Sequence, residues 1–136
     1  MTLANEPPKD FNPEAYLACL VAVARADGDA SPAERNYVST QAAWFGKDPE
    51  TLWNSVDDDK VAEQLSDLSH ATAMFILRDC VILGHIDGAY DEDERDHVLA
   101  LARAMGVREE RVIELEKWLD EYFRLVARGE ILFTQP

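Results

Sequence analysis

Ala24-Arg-Ala-Asp-Gly-Asp-Ala-Ser-Pro-Ala-Glu34 and Gly84-His-Ile-Asp-Gly-Ala-Tyr-Asp-Glu-Asp-Glu94 are one passage written twice, sixty residues apart. Each has an Asp-Gly pair, a short polar stretch and a glutamate, with apolar helical periodicity on both sides. The match extends outward without a gap. Leu17 aligns with Leu77, Val21 with Val81, Glu34-Arg35 with Glu94-Arg95, Val38 with Val98, Ala42 with Ala102 and Gly46 with Gly106. A repeat of this kind defines the structural unit before any motif is read. The unit here is a helix, an Asp-Gly turn, a second helix and a glycine stop.

Outward from the turns, the chain reads as helix after helix. Asn12 is placed to cap a helix that opens at Pro13 and carries Leu17, Leu20, Val21 and Ala24 on an i, i+3, i+4, i+7 stripe. Ser31 and Glu34 form a capping-box pattern ahead of Val38, Ala42 and Phe45, and Gly46 ends that helix. Asp48-Pro49 opens a short helix through Leu52 and Trp53. Asp57-Asp58-Asp59-Lys60 reads as a charged link before a short helix over residues 61–65. A long helix is expected over residues 69–86. Asp91 and Glu94 repeat the capping pattern before Val98, Leu101 and Ala102. The last helix is predicted from about Arg108 to Arg128, with Gly129 as its C-cap and an apolar Ile131-Leu132-Phe133 tail behind it. No alternating strand pattern of useful length is present. The expected architecture is all-α: a single-domain bundle of about six to seven helices built from two pseudo-symmetric helix-turn-helix repeats. Its parts are a lead-in over 1–12, a body over 13–129 with repeats at about 14–53 and 74–113, and a tail over 130–136.

The 136 residues suffice for one core without disulfides or structural metal. A formal net charge of −14 sets the chain against nucleic acid and anionic membrane faces, and leaves cations and basic protein patches as partners. No apolar run approaches a membrane span, so the expectation is not an integral membrane protein. Cys19 and Cys80 lie in apolar helical runs and read as buried free thiols. With no secretory leader visible at the N-terminus, a cytoplasmic setting is expected.

The repeated turn is the feature that carries chemistry. A hard divalent cation takes several oxygen ligands. A helix C-terminus presents unsatisfied carbonyls and partial negative charge, and an aspartate there adds a full charge. Asp27, Asp29 and Glu34 in the first turn, and Asp87, Asp91 and Glu94 in the second, are the candidate ligands. The ion would be calcium, magnesium or manganese. The spacing is not an EF-hand: its sixth and twelfth positions are Pro32 and Val38 in one copy and Glu92 and Val98 in the other, where that loop needs glycine and glutamate. The plain alternative is that these residues only end one helix and start the next, with Gly28 and Gly88 as C-caps and Ser31, Glu34, Asp91 and Glu94 as capping boxes. Both readings hold if a capping glutamate keeps one oxygen for an ion. No nucleophile, phosphate-cradling loop or cofactor fingerprint accompanies the acids.

Residues 24–34, and residues 86–95 running on to Ala102-Arg-Ala-Met-Gly106, resemble the paired signatures of TerB-like domains, the tellurite resistance protein B family. The resemblance spans about residues 14–128. It implies an all-helical bundle, a non-enzymatic role linked to tellurite resistance or stress response, and cation binding at Asp27, Glu34, Asp87 and Glu94. Ala30 departs from the aromatic residue that the family often has there, and Tyr90 keeps it. The sequence therefore points to an acidic, cation-binding TerB-like domain acting through protein contacts with an unidentified partner; the wide apolar face of the last helix reads first as packing within the domain and second as a candidate homodimer contact. Two alternatives stand beside it: a metal-free helical interaction module, and an enzyme using the paired carboxylates.

Overall fold

The computed structural model describes residues 6–86, 88 and 90–136. Among them are six α-helices and one 3-10 helix, and no strand. The α-helices are α1 (Pro13–Ala24), α2 (Pro32–Trp44), α3 (Pro49–Ser55), α4 (His70–Gly84), α5 (Glu92–Ala104) and α6 (Glu109–Thr134). The 3-10 helix, Asp58–Gln64, lies between α3 and α4.

The bundle is organised around α1. Every residue from Ala15 to Ala24 is buried. A helix apolar on all sides belongs in the interior, and the Ala and Val side chains that dominate this one let neighbours come close. α2, α3, the 3-10 helix, α4 and α5 pack around α1, and α6 lies outside against α4 and α5. Asn12 caps α1 by accepting from Ala15 N–H. Asp10, just before it, accepts from the backbone and hydroxyl of Ser69 and from the Thr72 hydroxyl, which ties the lead-in to the start of α4.

A polar junction lies in the interior between α1 and α4. The Tyr16 hydroxyl donates to Asp79 Oδ2 at 2.6 Å, and Arg78 Nε donates to Asp79 Oδ1 at 2.9 Å. Phe11, Phe45 and Phe75 close over Tyr16, with ring centroids 5.2–5.9 Å from it. A buried carboxylate is tolerated because both of its oxygens are engaged.

α4 ends at Gly84, two residues short of the expected 86, and the sequence reading differs more widely from the structure at two other boundaries. The Asp-rich link is not a loop ahead of a helix: Asp58 and Asp59 form the first turn of the 3-10 helix, with the Asp57 side chain accepting from Asp59 N–H. Acidic residues there complement the positive end of the helix. At the other end, α6 does not stop at Gly129. It runs to Thr134 and takes in the Ile131-Leu132-Phe133 tail. Gly46 and Gly106 have positive φ directly after the C-caps of α2 and α5, and Gly28 and Gly88 have it within the turns past α1 and α4; Gly129 has no positive φ. A glycine inside a helix costs about 1 kcal/mol relative to alanine, which weakens a helix without terminating it. The stop falls at Gln135, before Pro136, where the proline disfavours helical backbone in its predecessor. Of the tryptophans, only Trp53 is buried; Trp44 and Trp118 are exposed.

Two outcomes follow from this packing. Tyr16→Phe removes one donor to buried Asp79 and should lower unfolding free energy in urea titration by about 1–3 kcal/mol, with the helical circular dichroism unchanged. An unaltered midpoint would mean the hydroxyl contributes nothing. Cys19 and Cys80 are buried and free, and burial pushes Cys19 up to about 12 and Cys80 well above its ordinary value. Both should resist an aromatic disulfide reagent in native buffer and react once the chain is unfolded; prompt labelling of the native protein would contradict this burial.

Candidate functional site

Each acidic turn is built by the same local chemistry. Past α1, Gly28 N–H reaches the Arg25 carbonyl at 3.0 Å, and past α4, Gly88 N–H reaches the His85 carbonyl at 3.1 Å. The next helix then opens with a reciprocal cap. Ser31 N–H donates to Glu34 Oε1 at 2.9 Å and Glu34 N–H to Ser31 Oγ at 3.2 Å. Asp91 N–H donates to Glu94 Oε1 at 3.2 Å and Glu94 N–H to Asp91 Oδ1 at 2.8 Å. Capping glutamates normally face water. These two are only 3% and 2% exposed.

The bundle then brings the two turns together. The Glu34 and Glu94 carboxyls lie within hydrogen-bonding reach of each other, and so do those of Asp27 and Asp91. Two carboxyls bond only when they share a proton. Glu94 is accordingly pushed up to about 8, first by burial, then by its bond to Glu34 and the charges of Asp91 and Glu34, against a downward pull from the Asp91 backbone. Asp27 is raised too, by desolvation first and then by Asp91 and Glu34. Asp29 is exposed and has no hydrogen bond or ion pair with any described residue. Asp87 lies outside the described residues. Among the described residues, no three acidic, histidine or cysteine side chains are gathered as an ion would need them. The site consists of two carboxyl pairs; both capping boxes form, while the C-caps of α1 and α4 are Arg25 and His85, with Gly28 and Gly88 three residues further on in the turns.

Around the pairs, the two turns are anchored by different means. In the first, Arg25 donates to the Trp53 and Val56 carbonyls and to Asp58, and Arg35 lies 4.6 Å over the Trp53 ring. In the second, Arg95 makes a two-pronged contact with Glu116 of α6 at 2.9 and 3.0 Å, and Tyr90 donates to the same carboxylate at 2.9 Å. A Cβ at Gly84 would run into the Tyr90 ring, which accounts for glycine where the first unit has Ala24. His85 packs tilted against Tyr90 and edge-on to Phe123, with ring centroids 5.0 and 5.3 Å away. Glu34-Arg35 and Glu94-Arg95 signal the paired arginines in sequence. Nothing marks Glu116 or Trp53 as their partners, because those contacts depend on tertiary packing.

An all-helical bundle with two capped acidic turns meeting at their carboxyls is the class of structure the chain defines. No protein-family model matches the sequence, and comparison with curated proteins finds no match. Among solved structures, a tellurite resistance protein from Nostoc punctiforme shares the fold, with a TM-score of 0.70 over 91% of this chain and 81% of that one, at 22% identity. The chain thus has the fold that its resemblance to TerB-like domains led us to expect. No helix among the described residues is long and apolar enough to cross a membrane.

The raised Glu94 carboxyl makes stability depend on pH in a defined direction. An unfolded Glu94 loses its proton near 4.5, while the folded one keeps it to about 8. The stabilisation is fully present below 4.5, declines as pH rises, and is gone above about 8. Glu94→Gln keeps the capping oxygen and a donor toward Glu34 but cannot titrate. Wild-type Tm minus variant Tm should therefore fall by a few degrees between pH 5 and 9 in metal-free buffer. A pH-independent difference would show that the two glutamates do not share a proton.

Proposed function

We propose that this protein is a non-enzymatic TerB-like domain that binds a hard divalent cation where its two acidic turns meet. It would act in tellurite resistance or a related stress response through protein contacts. The observation that carries the reading is the burial of Glu34 and Glu94 against each other, each using one oxygen as a cap. Two carboxylates cannot both be charged there without a neutralising partner. A proton fills that role in the absence of metal and a divalent ion is the alternative, with Asp27 and Asp91 as further oxygen donors and Asp87 added from its place in the repeated motif alone. The tellurite connection comes from the resemblance and from the structural neighbour's description, and is analogy from fold to function.

A metal-free interaction module is the second reading, favoured by the exposed apolar residues of α6. The enzyme reading has less support. Two grooves of about 510 and 640 Å³ lie against α4 and α6, and neither is lined by any residue of the acidic turns. Acid–base catalysis by the carboxyl pairs would need a substrate cleft beside them.

Binding to the native state alone stabilises it by RT ln(1 + [L]/Kd), about 2.7 kcal/mol at a hundredfold excess over Kd. Millimolar calcium, magnesium or manganese should raise Tm by several degrees at constant ionic strength. Asp27→Asn and Asp87→Asn should remove that rise while leaving the circular dichroism intact. If no ion raises Tm, or the rise survives both substitutions, the cation reading fails and the interaction module remains.

A further inference from the structure

α6 is longer than the bundle that supports it. Its 26 residues span about 39 Å at 1.5 Å per residue. Val112, Leu115 and Leu119 seat it on the body. From Arg124 to Pro136, every residue except Gly129 is exposed, including Leu132 at 76% and Phe133 at 93%. A projecting helical end of this length is marginal in water on its own, and an apolar one marks a surface that something covers.

We propose that a second copy of this chain covers it, through antiparallel pairing of the two α6 helices. Trp118, Tyr122, Leu125, Gly129 and Leu132 follow the alternating four-and-three spacing of a coiled-coil seam, off the stripe that faces the chain's own bundle. The seam is self-complementary in one register. With Tyr122 of one copy opposite Leu125 of the other, Trp118 falls opposite Gly129, the largest side chain against none.

Charge selects the same orientation. Residues 109–123 carry six acids against two bases, whereas residues 124–136 carry two arginines and one glutamate. Antiparallel pairing sets the basic half of each α6 beside the acidic half of the other, and parallel pairing sets like beside like. Glu121 and Arg128 flank the seam and have no ion-pair partner among the described residues, unlike Arg124, which pairs with Asp120 at 3.0 Å. In the antiparallel register, Glu121 of each copy comes beside Arg128 of the other. The projecting end then lies along the second copy's bundle, with Leu132 and Phe133 level with its Leu115 and Glu114. That is the edge of the 510 Å³ groove lined by Met74, Phe75, Leu115 and Trp118. One two-fold operation covers both apolar ends, as a closed isologous dimer requires.

The test is sedimentation velocity on the full chain across the micromolar range, with parallel flotation against vesicles of phosphatidylcholine and phosphatidylglycerol. The wild type should sediment as a dimer and stay off the vesicles. Leu125→Asp, at an exposed position that leaves the fold intact, should raise the dimer Kd at least about tenfold. Glu121→Arg and Arg128→Glu should each weaken the dimer by setting like charges together, and the double variant should restore it. A wild type that is monomeric throughout overturns the proposal, as does a monomer that floats with vesicles, which would assign the projecting end to lipid. A dimer insensitive to Leu125→Asp, or a double variant no tighter than the single ones, overturns it as well.

Discussion

Burial of α1 on every side is the constraint from which the rest of the structure follows. A helix with no polar face needs neighbours all round, and α2, α3, α4, α5 and the 3-10 helix supply them. Its ends still have to reach the surface and satisfy their free backbone groups. Asn12 does this at one end and the Arg25–Gly28 turn at the other. The acidic turn is thus the exit of a wholly buried helix. α4, largely buried in its turn, leaves the core by the same device.

Much of this was legible in sequence, because it is local. Asn12, Ser31 and Asp91 sit where caps belong, the positive-φ glycines at 46 and 106 follow helix C-caps directly, and both capping boxes form as their spacing dictates; the glycines at 28 and 88 lie three residues past the caps Arg25 and His85, inside the turns. Two local readings went astray at Gly129 and at the Asp-rich link. At each, a residue type common at helix ends stands within a helical segment, and its neighbours decide the outcome. The long-range contacts could not be read. Spacing shows that Glu34 and Glu94 are alike, but only the packing of α2 and α5 around α1 shows that they touch. The repeat pattern also hides the difference in anchorage: Trp53 closes the first repeat where the second has Ile113, and Glu116 lies beyond the second repeat.

The meeting of the two glutamates joins stability to function. A capping glutamate contributes to folding at its own helix end, and a buried carboxyl pair opposes folding unless neutralised. Glu34 and Glu94 do both. Whatever neutralises the pair also secures the first turns of α2 and α5. Arg95 follows Glu94 directly and grips Glu116, so the second of these turns is in mechanical contact with α6.

The fit of Tyr90 over Gly84 makes the two units unequal as templates for each other. Shortening the second turn's tyrosine to alanine, as in the first, leaves only a void and a lost bond to Glu116. Change at these two positions is therefore ordered: a variant library reaches alanine at residue 84 without a collision only after the ring at residue 90 has been shortened.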